Sequence, residues 1–470
     1  MAASGKTIGS WVRDDRHGVL IAGMLWVLLV LMIVPEGFDY SALVTANHAP
    51  TSGGAVSRLL WLGLLGFAIV VIAWRAGLFY LLTRSLNPFL LGFVALAIVS
   101  VVWSIEPVLT LRRDVRLITI VLVCVAFSLA GWHARRFQNV VRPLLTLVLL
   151  GSVAFGIAFP VLAIHQETSA ELVGAWRGLT NHKNSLGALA CITLIFWVEA
   201  WLARQARLLI ALFGCVLAVA CLLLSRSATS LITAIFATLF LVLLMRAPRN
   251  FQPYLKYIVA IAVSVLVVYA LAILGLIPGL RLLLAPITLV TGFDTTFTGR
   301  SEIWAIISEH IRLNPWVGTG YGAYWIGPVT NSPSYEFVVR MGSFYPGSAH
   351  NGYLEIANDL GWAGLLCLLG YIVFHLRQSL NALAFNRQQG ALYLALFIQQ
   401  ALVNLSESHW FSVLSVNFVI MTLATVALAR SLLEFRLRAY FGEPMQGRSP
   451  LATTASMPAL GMSPQQGERA

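Results

Sequence analysis

The sequence predicts an all-α integral membrane protein with about twelve membrane-spanning helices, and three observations predict it. Of its 470 residues, 59% are hydrophobic and 11% charged, and the mean hydropathy is +0.82; a soluble domain carries roughly 25% charged residues. The apolar residues come in repeated runs of about 17–25, the length a helix needs to cross the hydrocarbon of a bilayer. Polar and apolar residues do not alternate within those runs, as the strands of a membrane barrel require. A helix satisfies its own backbone in lipid, so the runs read as helices.

In order, the expected spans are residues 18–34, 58–74, 87–104, 116–131, 142–164, 185–203, 207–224, 228–246, 255–278, 352–376, 390–405 and 411–433. Lys6, Arg13 and Arg16 precede the first run, which reads as a first span and resembles a signal anchor. With the N-terminus inside, the inner loops take pairs and triplets such as Arg75 and Arg84, Arg135 with Arg136 and Arg142, and Arg377 with Arg387. Most of the 31 Lys and Arg residues then lie inside, with both chain ends cytoplasmic. The organisation read from this is a cytoplasmic N-terminus over 1–17, a polytopic domain over 18–433 with a large outer loop at 279–349, and a cytoplasmic tail over 434–470. Residues 441–470 are rich in Pro, Gly, Ser and Gln, a composition that predicts disorder. The outer loop, rich in Trp, Tyr, Pro and Gly, reads as a cover over a substrate.

Composition also excludes functions. The net charge of +12 is spread over short loops, the pattern of the positive-inside rule, so nucleic acid is not an expected partner. The five cysteines all fall inside apolar runs and read as small buried hydrophobes. The outer loops hold no Asp-x-Asp and no His/Cys pair at zinc spacing, and the chain has no nucleotide-binding motif, so neither a metal nor a cofactor is expected.

Basic residues normally avoid the outer face of a membrane protein. Here eleven fall there: Arg58, Arg112, Arg113, Arg116, Arg177, Lys183, Arg226, Arg281, Arg300, Arg312 and Arg340. Arg58, Arg312 and Arg340 read as ordinary loop charges, paired with acids such as Glu309. The others sit in richer settings. Arg177, His182, Lys183 and Asn184 crowd into eight residues at the entry of a span, with Gly178 and Gly187 beside them. Helix entries favour anions, and glycine lets backbone approach a ligand; a capped helix with snorkelling side chains is the alternative. Arg226 stands among Ser225, Ser227, Thr229 and Ser230 in a tight turn, a setting that suits phosphate oxygens or a plain interfacial turn. The long loop brings Arg300 with Trp304, then Gly318-Thr-Gly-Tyr-Gly322, which reads as a flexible turn offering Tyr321 to a sugar. His350 and Asn351 lie at the start of a further span, where a histidine is a candidate general base. Glu355 and Asp359 follow on one face of that span, where acids tend to be paired or functional.

In this order the clusters resemble the O-antigen ligase and polymerase family of bacterial membrane proteins. The matching pieces are Trp103-Ser-Ile-Glu-Pro107, Arg177 to Gly187, Ser225-Arg-Ser, Thr298-Gly-Arg-Ser with Trp304, Gly320-Tyr-Gly322, and Ser348-Ala-His-Asn-Gly with Gly361 and Gly364. They run from about 90 to 410, and Ser406-Glu-Ser408 is most similar to the exopolysaccharide-polymerase branch. The resemblance implies a fold like that of GT-C-type membrane glycosyltransferases, multi-pass in the bacterial inner membrane with its site facing the periplasm. It implies inverting, metal-independent transfer of a glycan from undecaprenyl pyrophosphate to an acceptor hydroxyl. Implied partners are that lipid-linked glycan, membrane lipid, an acceptor glycan or lipid A core, and a flippase and chain-length regulator of the same pathway. By resemblance His350 is the base with Asn351 orienting it. Arg177, Arg300 and Arg226 meet the pyrophosphate, aided by His182, Lys183 and Asn184. Trp304, Tyr321, Glu355 and Glu407 support the site or the acceptor. Polymerase and ligase stay open as alternatives, and a lipid-glycan flippase is a third. A transporter is expected to carry polar groups near mid-membrane, whereas these clusters lie at span ends.

Overall fold

The computed structural model describes residues 17–35, 40, 54–167, 172–273 and 300–440, except 329, 331 and 343. The described residues are helical apart from loops and one isolated bridge between Ile164 and Trp176. All twelve expected spans find a helix. These are α1 (Gly18–Ile33), α2 (Ala55–Trp74), α4 (Pro88–Ser100), α5 (Pro107–Leu129), α6 (Arg136–Ala158), α7 (Lys183–Leu202), α8 (Leu208–Leu224), α9 (Ala228–Arg246), α10 (Leu255–Ile273), α13 (Gly352–Phe385), α14 (Arg387–Val403) and α15 (Val416–Tyr440). Three more complete the set: α3 (Ala76–Thr83), which meets α4 at 100°, α11 (Arg300–Leu313) and α12 (Tyr335–Arg340). Seven described helices are long and apolar enough to cross a membrane on length and composition alone.

The chain divides into units 1–433 and 434–470. Of the second unit, helix continues to Tyr440, so the expected disordered tail at 441–470 lies outside the described residues. The expected N-terminal segment does too, save His17, and so does the first part of the 279–349 loop.

The apolar stretch of α15 is 94% buried, against 22% for that of α2. Within the first unit, α7 packs on α8, α9 and α14, and α13 packs on α4 and α14. Most of the outward faces stay apolar, as lipid contact requires, with Leu208, Leu209 and Phe236 exposed.

Three boundaries differ from expectation in ways that matter. The fourth span was expected from 116, yet its helix, α5, starts at Pro107 in its first turn, where a missing N–H costs nothing. Arg112, Arg113 and Arg116 therefore ride on a helix. The last span was expected from 411, but Trp410, Phe411 and Val413 belong to a buried loop before α15. Phe411 stacks on Phe93 at 3.8 Å and takes a left-handed φ of 50°. Its hydrophobicity caps the bundle end instead of starting a helix. Finally, α13 is broken at Gly361 (φ 59°, ψ −152°). There the carbonyls of Pro315 and Trp316 accept from the N–H groups of Trp362 and Ala363 at 2.8 and 3.1 Å. A Cβ at Gly361 would stand 2.5 Å from the Trp316 carbonyl carbon, so only glycine fits.

Candidate active site

The loop at 404–415, the start of α7, the start of α11 and the start of α13 meet at one end of the bundle. Asn404 folds the first of these. Its side-chain oxygen accepts from the N–H groups of His409 (2.8 Å) and Trp410 (2.7 Å), and its carbonyl accepts from Gly352 at 2.9 Å. The turn so made carries Glu407 inward. Its carboxylate gathers three partners from distant parts of the chain. Asn184 Nδ2 donates to Oε1 at 2.6 Å, Arg300 Nη2 donates to the same oxygen at 3.2 Å, and His350 Nδ1 lies 3.5 Å from Oε2. The Glu407 side chain is 13% exposed, and those of Arg300 and His350 are 22% and 26% exposed, so a ligand can reach the last two.

His350 is held from its backbone. The preceding residue is clamped on both sides: the Ala349 N–H donates to Glu355 Oε2 at 2.7 Å, and its carbonyl accepts from the Trp304 indole at 3.0 Å. His350 itself has φ 46°, a conformation few side-chain-bearing residues adopt without support. Asn351 is fully buried and caps α13, its oxygen accepting from Tyr353 N and Leu354 N at 3.0 and 3.1 Å. Asn351 therefore sets where α13 begins and does not face the ring of His350 with its own oxygen. Glu355 also accepts from the Trp325 indole (2.6 Å) and Ser408 hydroxyl (3.0 Å), tying α13 to the loop that holds Glu407. Arg300 and Trp304 are one turn apart on α11, so one helix serves both the clamp and the cation.

The entry of α7 forms the opposite wall. His182 is its N-cap, with Nδ1 accepting from Asn184 N at 3.3 Å. Burial pushes the His182 imidazole down to about 4, against a smaller upward pull from Glu407. A strap whose described residues are 164–167 and 172–182 backs this wall. His165 Nε2 accepts from the Lys183 N–H at 3.1 Å while Nδ1 lies 3.0 Å from Glu167, and its ring meets that of His182 edge-on at 5.0 Å. Burial likewise pushes His409 down to about 4. Burial works to raise the Glu407 carboxyl, but the nearby His350 ring, then Arg300 and His409, hold it well below the usual carboxylate range. The site is thus an ionised carboxylate ringed by cationic and neutral donors.

The other expected residues are placed differently. Arg177 lies on the strap, 2% exposed, with Nε donating to the Leu162 carbonyl at 2.9 Å; the nearby charge it feels is Glu167. Arg226 (φ 47°) is exposed and donates to the Val173 carbonyl at 2.8 Å, which joins it to the strap and not to Glu407. Tyr321 was expected to offer its ring to a sugar. It is instead 4% exposed, edge-on to Phe93 at 5.9 Å, with its hydroxyl donating to the Phe411 carbonyl. The glycine-rich stretch around it packs tightly: Gly320 N and Gly322 N donate to the Asp359 carbonyl and carboxylate at 2.9 and 2.8 Å. A Cβ at Gly318 would sit 2.4 Å from Asp359 backbone, so these glycines serve close packing and not flexibility. Arg340 is the expected loop charge, paired with Glu309 at 2.7 Å and Glu336 at 2.8 Å. His165 and Glu167 are site neighbours that the sequence reading missed. Their only signal was a His-x-Glu in an outer loop.

Two comparisons bear on this arrangement. Residues 213–369 match the family model described as O-Antigen ligase, a stretch that contains Arg226, Arg300, Trp304, His350, Asn351 and Glu355 and stops before Glu407. Over 326 residues, 68% of this chain and 70% of the relative, the chain is 29% identical to the exopolysaccharide production protein ExoQ of Rhizobium meliloti (strain 1021). With His350, Arg300 and Glu407 gathered at one end of an all-helical bundle, the chain is a multi-pass membrane protein whose residues 213–369 are similar to the O-Antigen ligase family.

Proposed function

We propose that this protein transfers a glycan from an undecaprenyl-pyrophosphate donor to an acceptor hydroxyl at the periplasmic face of the bacterial inner membrane, polymerising exopolysaccharide or O-antigen repeat units. The observation that carries this is the meeting of His350 and Arg300, both partly open to solvent, at a helix-bundle end. A polyprenyl donor is met at the bilayer surface, with its tail among lipid-facing helices and its diphosphate outside. Arg300 is the guanidinium placed to receive that diphosphate, a cation that keeps its charge at any working pH. As the glycosidic C–O bond breaks, negative charge grows on the leaving group, and a fixed cation there lowers the barrier without a metal. His350 takes the proton of the acceptor hydroxyl, which attacks from the opposite face of the sugar and inverts the anomeric centre. Arg177 and Arg226 act on the strap that walls the site. No cofactor is required, since the bond energy arrives with the donor.

A second reading is the transfer of the finished glycan to lipid A core or another acceptor. The description of the matching family as a ligase favours it, while the relative is named for exopolysaccharide production. One experiment separates them. Purified protein given undecaprenyl-pyrophosphate-linked oligosaccharide either lengthens that lipid or passes glycan only to a different added acceptor. His350→Ala is expected to abolish product in either case at unchanged membrane level, and wild-type activity is expected to survive EDTA. Full activity of His350→Ala, or strict need for a divalent ion, overturns the mechanism; vectorial movement of lipid-linked glycan with no new glycosidic bond overturns the transferase reading in favour of a flippase.

A further inference from the structure

Resting on the transfer chemistry proposed above, we infer that Glu407 is the positioning residue of the base: its Oε2 accepts the Nδ1–H of His350, so that Nε2 is the nitrogen left to take the acceptor proton. Three features of the geometry carry this. First, His350 Nδ1 is shut off from solvent and makes no hydrogen bond within the usual limit, and Glu407 Oε2 stands 3.5 Å from it. A buried ring N–H seeks an acceptor, and such contacts shorten when substrate closes the site. Second, the carboxylate cannot easily turn away, because Asn184 and Arg300 both hold its other oxygen at 2.6 and 3.2 Å. Third, neither partner is free to drift. The His350 backbone is clamped through Ala349, and the Glu407 turn is pinned by Asn404 and by Ser408 on Glu355.

Among the described residues, the groups that face the pair come from three elements. Arg300 comes from α11, His182 and Asn184 from the α7 entry, and His409 from the same loop as Glu407. His182 and His409, driven down to about 4 chiefly by burial, are neutral at pH 7, which leaves Arg300 and the forming imidazolium as the cations the carboxylate serves.

In the reaction the acceptor oxygen forms its bond to the anomeric carbon as its proton moves to His350 Nε2. The bond from that carbon to the phosphate oxygen breaks, and its electron pair leaves with undecaprenyl pyrophosphate. The imidazolium is held between the sugar and Glu407 until it returns its proton to water. A carboxylate in this place fixes the tautomer and stabilises the charged ring without taking the proton. Glu407 follows the end of the matched family stretch by 38 residues, which is why no local motif reveals it.

The test uses the full chain in detergent with undecaprenyl-pyrophosphate-linked oligosaccharide extracted from its source cells. Glu407→Gln keeps the shape and an oxygen for Asn184. It is expected to lower kcat by about 10²–10⁴-fold with little change in KM, and to move the acid limb of the pH–rate profile to lower pH. Glu407→Asp is expected to recover part of the loss. A readout free of activity is the ¹⁵N-histidine spectrum, with the His350 signal assigned by its loss in His350→Ala. Wild type is expected to show one tautomer protonated at Nδ1, and Glu407→Gln a mixture. Wild-type kcat and pH profile in Glu407→Gln overturn the inference, as does an unchanged tautomer, or a loss confined to KM. Full activity of His350→Ala, or no glycosidic bond formed by wild type, overturns instead the transfer reading, and the spectrum then still judges the pairing.

Discussion

Helix α7 has a carboxylate near each end, and the two are held in opposite ways. At its entry, Glu407 is approached by Asn184, Arg300 and His350 from three other elements. Near its exit, about 20 Å along the helix at 1.5 Å per residue, Glu199 is fully buried, with Arg135 3.7 Å away and neither oxygen hydrogen-bonded. Arg142, which also feels Glu199, lies 5.1 Å from the Trp197 ring centroid. The first arrangement is directional and links segments hundreds of residues apart. The second balances charge without fixing any group's aim. Orientation matters to chemistry, while loose compensation matters only to the cost of burial. The difference sets the directional end apart as the one the proposed chemistry uses.

The largest expected effect lies at the directional end. Arg300→Ala is expected to cut the transfer rate by about 10²–10³-fold, the usual loss on removing one group that stabilises transition-state charge. Arg300→Lys is expected to recover only part of it, because an ammonium lacks the planar fork. Steady-state rates on lipid-linked oligosaccharide decide this, and equal activity of the alanine variant would dissolve the contrast between the two ends.

Next in size is an acid effect on stability. His182 and His409 have folded values of about 4, pushed down from the ordinary 6.5 chiefly by burial. Between those values the unfolded chain binds more protons than the folded one, so stability falls as pH drops from about 6.5 to 4. Glu407, held below the usual carboxylate range despite its burial, adds a further loss as pH falls below about 4.5. Thermal melting of the detergent-solubilised protein at pH 7, 5.5 and 4 is expected to show a steady decline; a flat series contradicts the buried, neutral state of both rings.

The smallest effect is expected at the other end. Glu199→Gln is expected to leave the transfer rate within about twofold and to lower the melting temperature modestly, since it removes the counter-charge that Arg135 and Arg142 face. A large loss of rate here would place function at both ends of α7.

How much of this the sequence carried follows from the range of each signal. Span positions were legible because hydropathy is local, and all twelve apolar runs became helices. His350, Arg300 and Asn184 stood out because they fall in polar clusters on the face where basic residues are normally scarce. Their joining was not legible: Asn184 and Arg300 lie 223 and 107 residues from Glu407. Phe411 and Val413 misled because a plug over a bundle end is as apolar as a span, and Tyr321 because an aromatic among glycines looks the same whether it faces a sugar or a packed core.

The break at Gly361 has a mechanical consequence. Bilayers vary in thickness, and a long helix answers by tilting. Above the break, the short stem is anchored to Asn404 and to the 314–323 loop. Below it, Trp362 and Ala363 donate to Pro315 and Trp316 of that same loop. The loop is a splint across the joint, so the set of the stem beside the imidazole is tied to that of the long lower helix.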